Sequence, residues 1–289
     1  MSVTFWSAEA AKAQFVIPPT SEAGYEFVER YGMKFAWIPR DLGVQRKSER
    51  KGSPRILKRD EGHFMGCFEV TQGDWQRIMK EKFEDYLRGA ENGSKELASR
   101  NLSPLKPAFF LDYNAASRFI VKLNEYETHA ANNTRWVFSI PSEQEWEYAA
   151  RAGVRSDYLT GKVLMPHAAA FSFSLVGLDR KKLPDEWFKE LRMYDNLDSP
   201  CVVGSRSIAN HFGLYDVHGN VSELTRTLVG DITELPGQIL YISKGGAWCL
   251  NMESCSFKTT GWSGEKSARP WTGLRLMAQE IENSKGERN

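Results

Sequence analysis

The rhythm of apolar and polar positions changes near the middle of the chain. Residues 33–39, MKFAWIP, and 63–70, HFMGCFEV, alternate as half-buried strands do. Thr71, followed three residues later by Asp74, has the form of a capping box. Trp75, Ile78, Met79 and Phe83 then recur at helical spacing and predict a helix over 72–86. A second helix is predicted over 113–126, with Ala116, Phe119, Ile120 and Leu123 facing inward. A third opens at Ser142, which forms a capping box with Glu145 and is followed by Trp146, Ala149 and Ala150. Residues 1–32 read as a peripheral extension, with Ser21 capping a short helix through Tyr25, Phe27, Val28 and Tyr31. The polar stretch 89–103 reads as a loop.

Beyond Gly153 one helical pattern remains, over 185–194 with Trp187, Phe188 and Leu191. Everything else is short apolar runs broken by Gly, Asn, Ser and Pro, without repeats or low-complexity tracts. So long an irregular region inside one domain is unusual. It predicts a loop-rich α+β fold held together by buried aromatics or metal ions.

Composition supports this and narrows the chemistry. Of 289 residues, 41% are apolar and 26% charged, which excludes a disordered chain or a disulfide mini-scaffold. The net charge of +1 offers no chain-wide attraction to nucleic acid or anionic lipid, and no apolar run is long enough for a transmembrane helix. Neither nucleic acid nor membrane insertion is expected, and the loop anchors Trp262, Lys266 and Trp271 point to a protein or peptide partner. Nine tryptophans suit a loop-built core and a binding surface alike. A basic run over 45–59 could contact phosphate, but no aromatic residues interleave with it and a solvated loop is the simpler reading. The first residues, MSVTFWSAEAAKAQFVIPP, lack a basic stretch followed by an apolar one. The compartment expected is periplasmic if Met1 begins a form already trimmed to maturity, and otherwise cytoplasmic.

The four cysteines, Cys67, Cys201, Cys249 and Cys255, are too few for a disulfide framework, and Cys67 and Cys201 read as small buried hydrophobes. The five histidines show no HxxxH or HExxH spacing, and no phosphate-binding glycine loop or nucleophile elbow occurs. In the segment TTGWSGEKSARPW, Trp262, Lys266 and Trp271 combine aromatic and basic character in a loop, as interface anchors do.

Four segments in register resemble the formylglycine-generating enzyme, or sulfatase-modifying factor, family. They are GCFEVTQGDW (66–75), IPSEQEWEYAARAG (140–153), VGSRSIANHFGLYDVHGNVSELT (203–225) and KGGAW (244–248) with SAR (267–269) and GLR (273–275). The resemblance implies one domain over 33–280, with a polar tail over 281–289. Its fold would be the family's variant of the C-type lectin fold.

The resemblance also implies a structural calcium ion, held by the carbonyls of Asp216, Gly219 and Val221 and the carboxylate of Glu223. Oxygen ligands suit that hard ion. Active members of the family bind copper(I) through two cysteines and oxidise a substrate cysteine; thiolates suit that soft ion. Cys249 and Cys255 are the candidates for this catalytic pair. Aligned without gaps, Cys255 takes the second family position, whereas Leu250 takes the first and Cys249 falls one residue early. In extended backbone, neighbouring side chains face opposite ways, so Cys249 is expected to point away from a shared site. The reading favoured on these grounds is a non-catalytic binding or regulatory module, comparable to bacterial accessory proteins in secretion-kinase regulation or maturation of a secreted product. The alternatives are a copper-dependent oxidase using Cys249 and Cys255, and a redox pair of the same two thiols.

Overall fold

A computed structural model describes residues 27–40, 62–90, 101–129, 134–173, 180–191, 193, 199–229 and 238–282. The basic run over 45–59 lies outside the described residues, as do Ser21 and Tyr25.

The chain enters through a hairpin of β1 (Phe27–Arg30) and β2 (Met33–Pro39), paired from Phe27–Ala36 to Arg30–Met33. Its two-residue turn, Tyr31-Gly32, has φ of 53° and 73°, the positive pair that matches the twist of paired strands. This corrects the expectation of a helix through Phe27, Val28 and Tyr31: the turn commits 27–30 to the sheet.

β2 pairs with β3 (Gly62–Gly66), β3 with the last strand β9 (Met277–Glu282), and β9 with β4 (Thr134–Ser139), all antiparallel. The sheet order is β1-β2-β3-β9-β4, which joins the two ends of the described chain. β9 runs to Glu282, past the start expected for the tail.

α1 (Gln72–Met79) carries the capping box: Asp74 N–H donates to Thr71 Oγ1 at 3.1 Å and Thr71 N–H to Asp74 Oδ2 at 3.0 Å. It stops earlier than its apolar spacing suggests, because Lys80 turns left-handed at φ 60°, and α2 (Phe83–Gly89) follows. α3 (Tyr113–Thr128) is capped by Asp112 and α4 (Glu143–Arg151) by the Ser142–Glu145 box; α5 (Asp185–Leu191) is short. Trp75, Phe119, Phe35, Phe64, Trp136 and Phe138 pack between the first sheet and α1 and α3, with Phe64 stacked on Trp136 at 4.5 Å and Trp75 on Phe119 at 5.7 Å.

The second half builds a smaller sheet in the order β7-β6-β5-β8: β5 (Ser222–Leu228), β6 (Leu240–Lys244), β7 (Gly261–Gly264) and β8 (Thr272–Gly273). Only β5 and β8 pair in parallel within it. A separate apolar cluster of Trp187, Leu164, Phe171, Phe173 and Met252 holds the surrounding loops. The described residues thus form an α+β arrangement rich in loops, and none of their helices is long and apolar enough to cross a membrane.

Candidate functional site

The turn Asp216–Asn220 is the knot of the second half. Asp216, Gly219 and Asn220 all have positive φ, at 54°, 74° and 55°. A Cβ on Gly219 would sit 2.0 Å from the carbonyl oxygen of Ala170, so no other residue fits. Asn220, fully buried, ties four segments together. Its Nδ2 donates to Glu69 Oε2 at 2.8 Å, and its Oδ1 accepts from Cys201 N–H at 2.9 Å. Its own N–H donates to Ala170 O at 2.7 Å, and its carbonyl accepts from Trp248 N–H at 3.0 Å. His218 is buried too. It accepts from Leu159 N–H at Nε2 (3.0 Å), so its Nδ1 is the donor to Cys255 O (2.8 Å). Burial pushes its pKa down to about 4 and keeps the ring neutral.

Glu223, on β5, faces Arg275. Arg275 donates from Nε to Oε2 at 2.8 Å and from Nη2 to Oε1 at 2.6 Å, and also to the carbonyls of Gly66 and Tyr215. Trp146 Nε1 donates to the same Oε2. Both charged side chains are sealed from solvent, at 1% and 0% exposure. Asp216 and Glu69 lie near this pair. Burial is the main cause that raises Asp216 to about 6 and Glu69 well above the carboxylate range, and neighbouring carboxylates add to the Glu69 effect. Lys244, also buried, donates to Phe257 O at 2.7 Å and reaches Glu147 at 3.2 Å.

Among the described residues no group of three or more His, Cys, Asp or Glu side chains is placed to hold a metal ion, so the calcium expected on Asp216, Gly219, Val221 and Glu223 would rest mainly on backbone carbonyls. Among the described residues, no N–H or O–H donates to the carbonyls of Asp216, Gly219 or Val221. Glu69, Asp216 and Glu223 also bring three buried carboxyls to one guanidinium. The Glu223 carboxylate, however, already has its charge balanced by Arg275, so only Oε1, with its single donor, has room for an ion.

Beside this knot lies a pocket of about 250 Å³, bounded by β5, β6, β7 and the loops after them. Trp262, Trp271 and Arg269 form one wall and Leu250 and Gly246 another; Ser222, Ser243, Ser254 and the pair Thr259-Thr260 supply hydroxyls. The Arg269 guanidinium lies 3.8 Å over the Trp262 ring and 5.9 Å from that of Trp271. Two of the three expected surface residues, Trp262 and Trp271, therefore line one cavity, half-buried. Lys266 is exposed and does not line it. Arg269 was missed as a site residue, although its place between two tryptophans in the SARPW segment was a usable signal.

Neither Cys249 nor Cys255 lines the pocket. The backbone here is not extended: Leu250 N–H donates to Ala247 O at 3.0 Å, closing a turn that leaves Cys249 exposed. This corrects the alternation argument, because a turn and not a strand sets where Cys249 points. Cys255 sits in the apolar cluster of Phe171 and Trp187, fully buried behind Gly246, where a Cβ would come 2.5 Å from its sulfur. Burial raises the Cys255 thiol to about 12. One thiol of the candidate pair is thus exposed and the other sealed in apolar packing. All four cysteines are free thiols, and Cys201 is half-buried rather than buried.

Fold and site together define a lectin-like α+β scaffold whose charged motif residues are internal ties beside an open pocket. Residues 39–280 match the sulfatase-modifying factor enzyme 1-like domain, and the chain belongs to that family. It is 26% identical over 235 residues to the chaperone protein LppX of Paenibacillus barcinonensis, covering 74% of this chain and 79% of that one. It is 28% identical over 204 residues to the inactive C-alpha-formylglycine-generating enzyme 2 of Mus musculus, covering 63% and 62%. Among solved structures, PvdO from Pseudomonas aeruginosa superposes with a TM-score of 0.58 at 16% identity, over 88% of this chain and 98% of that one. Treponema denticola variable protein 1 gives 0.55 at 15%, over 88% and 99%. At such identities the two structures speak for the fold alone.

Proposed function

We propose that this chain is a non-catalytic member of its family, an accessory module that binds a protein or peptide partner at the pocket beside Trp262 and Trp271. The observation that carries this reading is that Leu250 lines the pocket while Cys249 and Cys255 do not. A cavity with no thiolate, lined by indole, guanidinium and hydroxyl groups, is built to hold a group and not to oxidise one. The relatives named as a chaperone and as an inactive enzyme support the same direction. Secretion-kinase regulation and maturation of a secreted product are the settings in which such a module would act. A calcium ion on the carbonyls of Asp216, Gly219 and Val221 and on Glu223 Oε1 is part of the proposal, as a structural tie in the left-handed turn.

The test is to incubate the reduced protein with copper(I), oxygen and a cysteine-containing substrate peptide of the family type, and to follow aldehyde formation by mass. The expected result is no aldehyde. Aldehyde formed in proportion to enzyme, and lost in Cys255→Ser, would establish the oxidase reading instead.

A further inference from the structure

We infer that the pocket takes an acidic residue of a peptide, its carboxylate on Arg269 and its flanking backbone N–H groups on the pocket hydroxyls. This deepens the proposed function and rests on it.

Among the described residues, Arg269 is the one charged residue lining the cavity. Among the described residues its guanidinium has no hydrogen-bond or ion-pair partner, although it is stacked on Trp262. Stacking fixes the plane of the fork and leaves its N–H edge to a ligand. A planar, pre-oriented fork matches the two oxygens of a carboxylate. Among the described residues no acidic side chain lines the cavity to compete for it.

The hydroxyls set the rest of the ligand. Ser254 Oγ donates to Asn251 Oδ1 at 2.7 Å, and Thr259 Oγ1 to Glu253 O at 2.7 Å. Ser222 Oγ donates to Ser243 Oγ at 3.0 Å. Ser254 and Thr259, their protons already given away, offer oxygen lone pairs to a ligand, whereas Ser243 accepts from Ser222 and keeps its own proton to donate. A ligand complementary to the cavity therefore carries both a carboxylate and N–H donors, as an amino-acid residue does and inorganic phosphate, at neutral pH, does poorly. The volume of about 250 Å³ falls below that of ordinary small-molecule sites, which suits one residue of a longer partner. The carboxylate can come from an Asp or Glu side chain or from a chain terminus.

The experiment follows the indole N–H signals of ¹⁵N-labelled full-length protein during titration with blocked peptides Ac-Gly-Glu-Gly-NH2 and Ac-Gly-Gln-Gly-NH2, with Ac-Gly-Gly-Gly carrying a free C-terminus, and with inorganic phosphate. The Trp262 and Trp271 signals are identified from W262F and W271F. The expected result is saturable shifts of both signals with a carboxylate peptide, at least tenfold weaker with the amide peptide, and at least tenfold weaker in Arg269→Gln. Arg269→Lys, which keeps the charge without the fork, should fall between. Whichever carboxylate peptide binds more tightly identifies the source. Each variant is accepted only if its melting curve and its remaining indole spectrum match the parent. Equal binding of the amide peptide, phosphate binding as tightly as peptide, unchanged affinity in Arg269→Gln, or no shifts up to about 10 mM would each overturn the assignment. Copper-dependent aldehyde formation is scored separately on a cysteine peptide, so a failure of the carboxylate preference without aldehyde removes this assignment and leaves the non-catalytic reading standing.

Discussion

At the scale of residues, the side chains that identify the family are mostly ties of the interior. Asn220 donates to Glu69, and Trp146 and Arg275 donate to Glu223, each bond joining distant stretches of sequence. A buried ion pair stabilises little against a well-packed apolar replacement, but breaking it strands a charge. Arg275→Met should therefore lose about 3–5 kcal/mol in denaturant unfolding. The double variant Arg275→Met with Glu223→Gln should recover part of that loss, because the carboxylate directly bonded to the guanidinium is gone. A double variant no better than the single one would mean that Arg275 acts mainly through its bonds to Gly66 O and Tyr215 O. The candidate calcium ligands were legible by resemblance, yet nothing local in Glu223 announces Arg275, since 52 residues separate them. The pocket hydroxyls were illegible for the same reason: Ser222, Ser243 and Thr259 become neighbours only through the pairing of β5, β6 and β7.

At the scale of elements, capping chemistry was the most readable signal. Both capping boxes, the strand over 33–39 and the inner faces of α3 and α4 follow from local pattern, since each depends on groups within a few residues. The N-terminal hairpin was misread because Phe27, Val28 and Tyr31 also have helical spacing; pairing with β2 and the Tyr31-Gly32 turn decided otherwise. That hairpin is anchored by Arg30, which donates to both oxygens of Glu127 on α3 at 2.7 and 2.8 Å, while Trp136 N–H on β4 donates to Oε2 at 2.9 Å. Burial alone would raise the Glu127 carboxyl, but Arg30 and the Trp136 N–H hold it below its ordinary 4.5. A depressed folded value means stability that is present above about 4.5 and lost as pH falls through the folded pKa. The denaturant midpoint of the parent should fall on acidification below that value. In Glu127→Gln it should be lower at neutral pH and fall less steeply with acid. Parallel curves for the two proteins would remove Glu127 from the acid response.

At the scale of the molecule, a sheet that closes on the C-terminal strand and a loop-rich half tied by one left-handed turn explain why so few regular elements hold so long a chain. Trp187, Phe171 and Met252 substitute for secondary structure by packing the loops around α5 and the 253–255 turn. If calcium adds to those ties, a calcium chelator should lower the melting temperature, and restored calcium should return it, more effectively than magnesium. A loss of 1 kcal/mol corresponds to roughly 2–4 °C in a chain of this size. An unchanged melting curve in excess chelator would leave the buried carboxyls neutralised by protons and Arg275 alone.

The central claim is that the family's thiol pair is dismantled here and its cavity is left for binding. Copper(I) titration of the reduced protein against a competing chelator tests this most directly. The account predicts no copper held more tightly than by an unstructured pair of thiols, and the same curve for Cys255→Ser. Tight one-to-one uptake, abolished by replacing either Cys249 or Cys255, would contradict it.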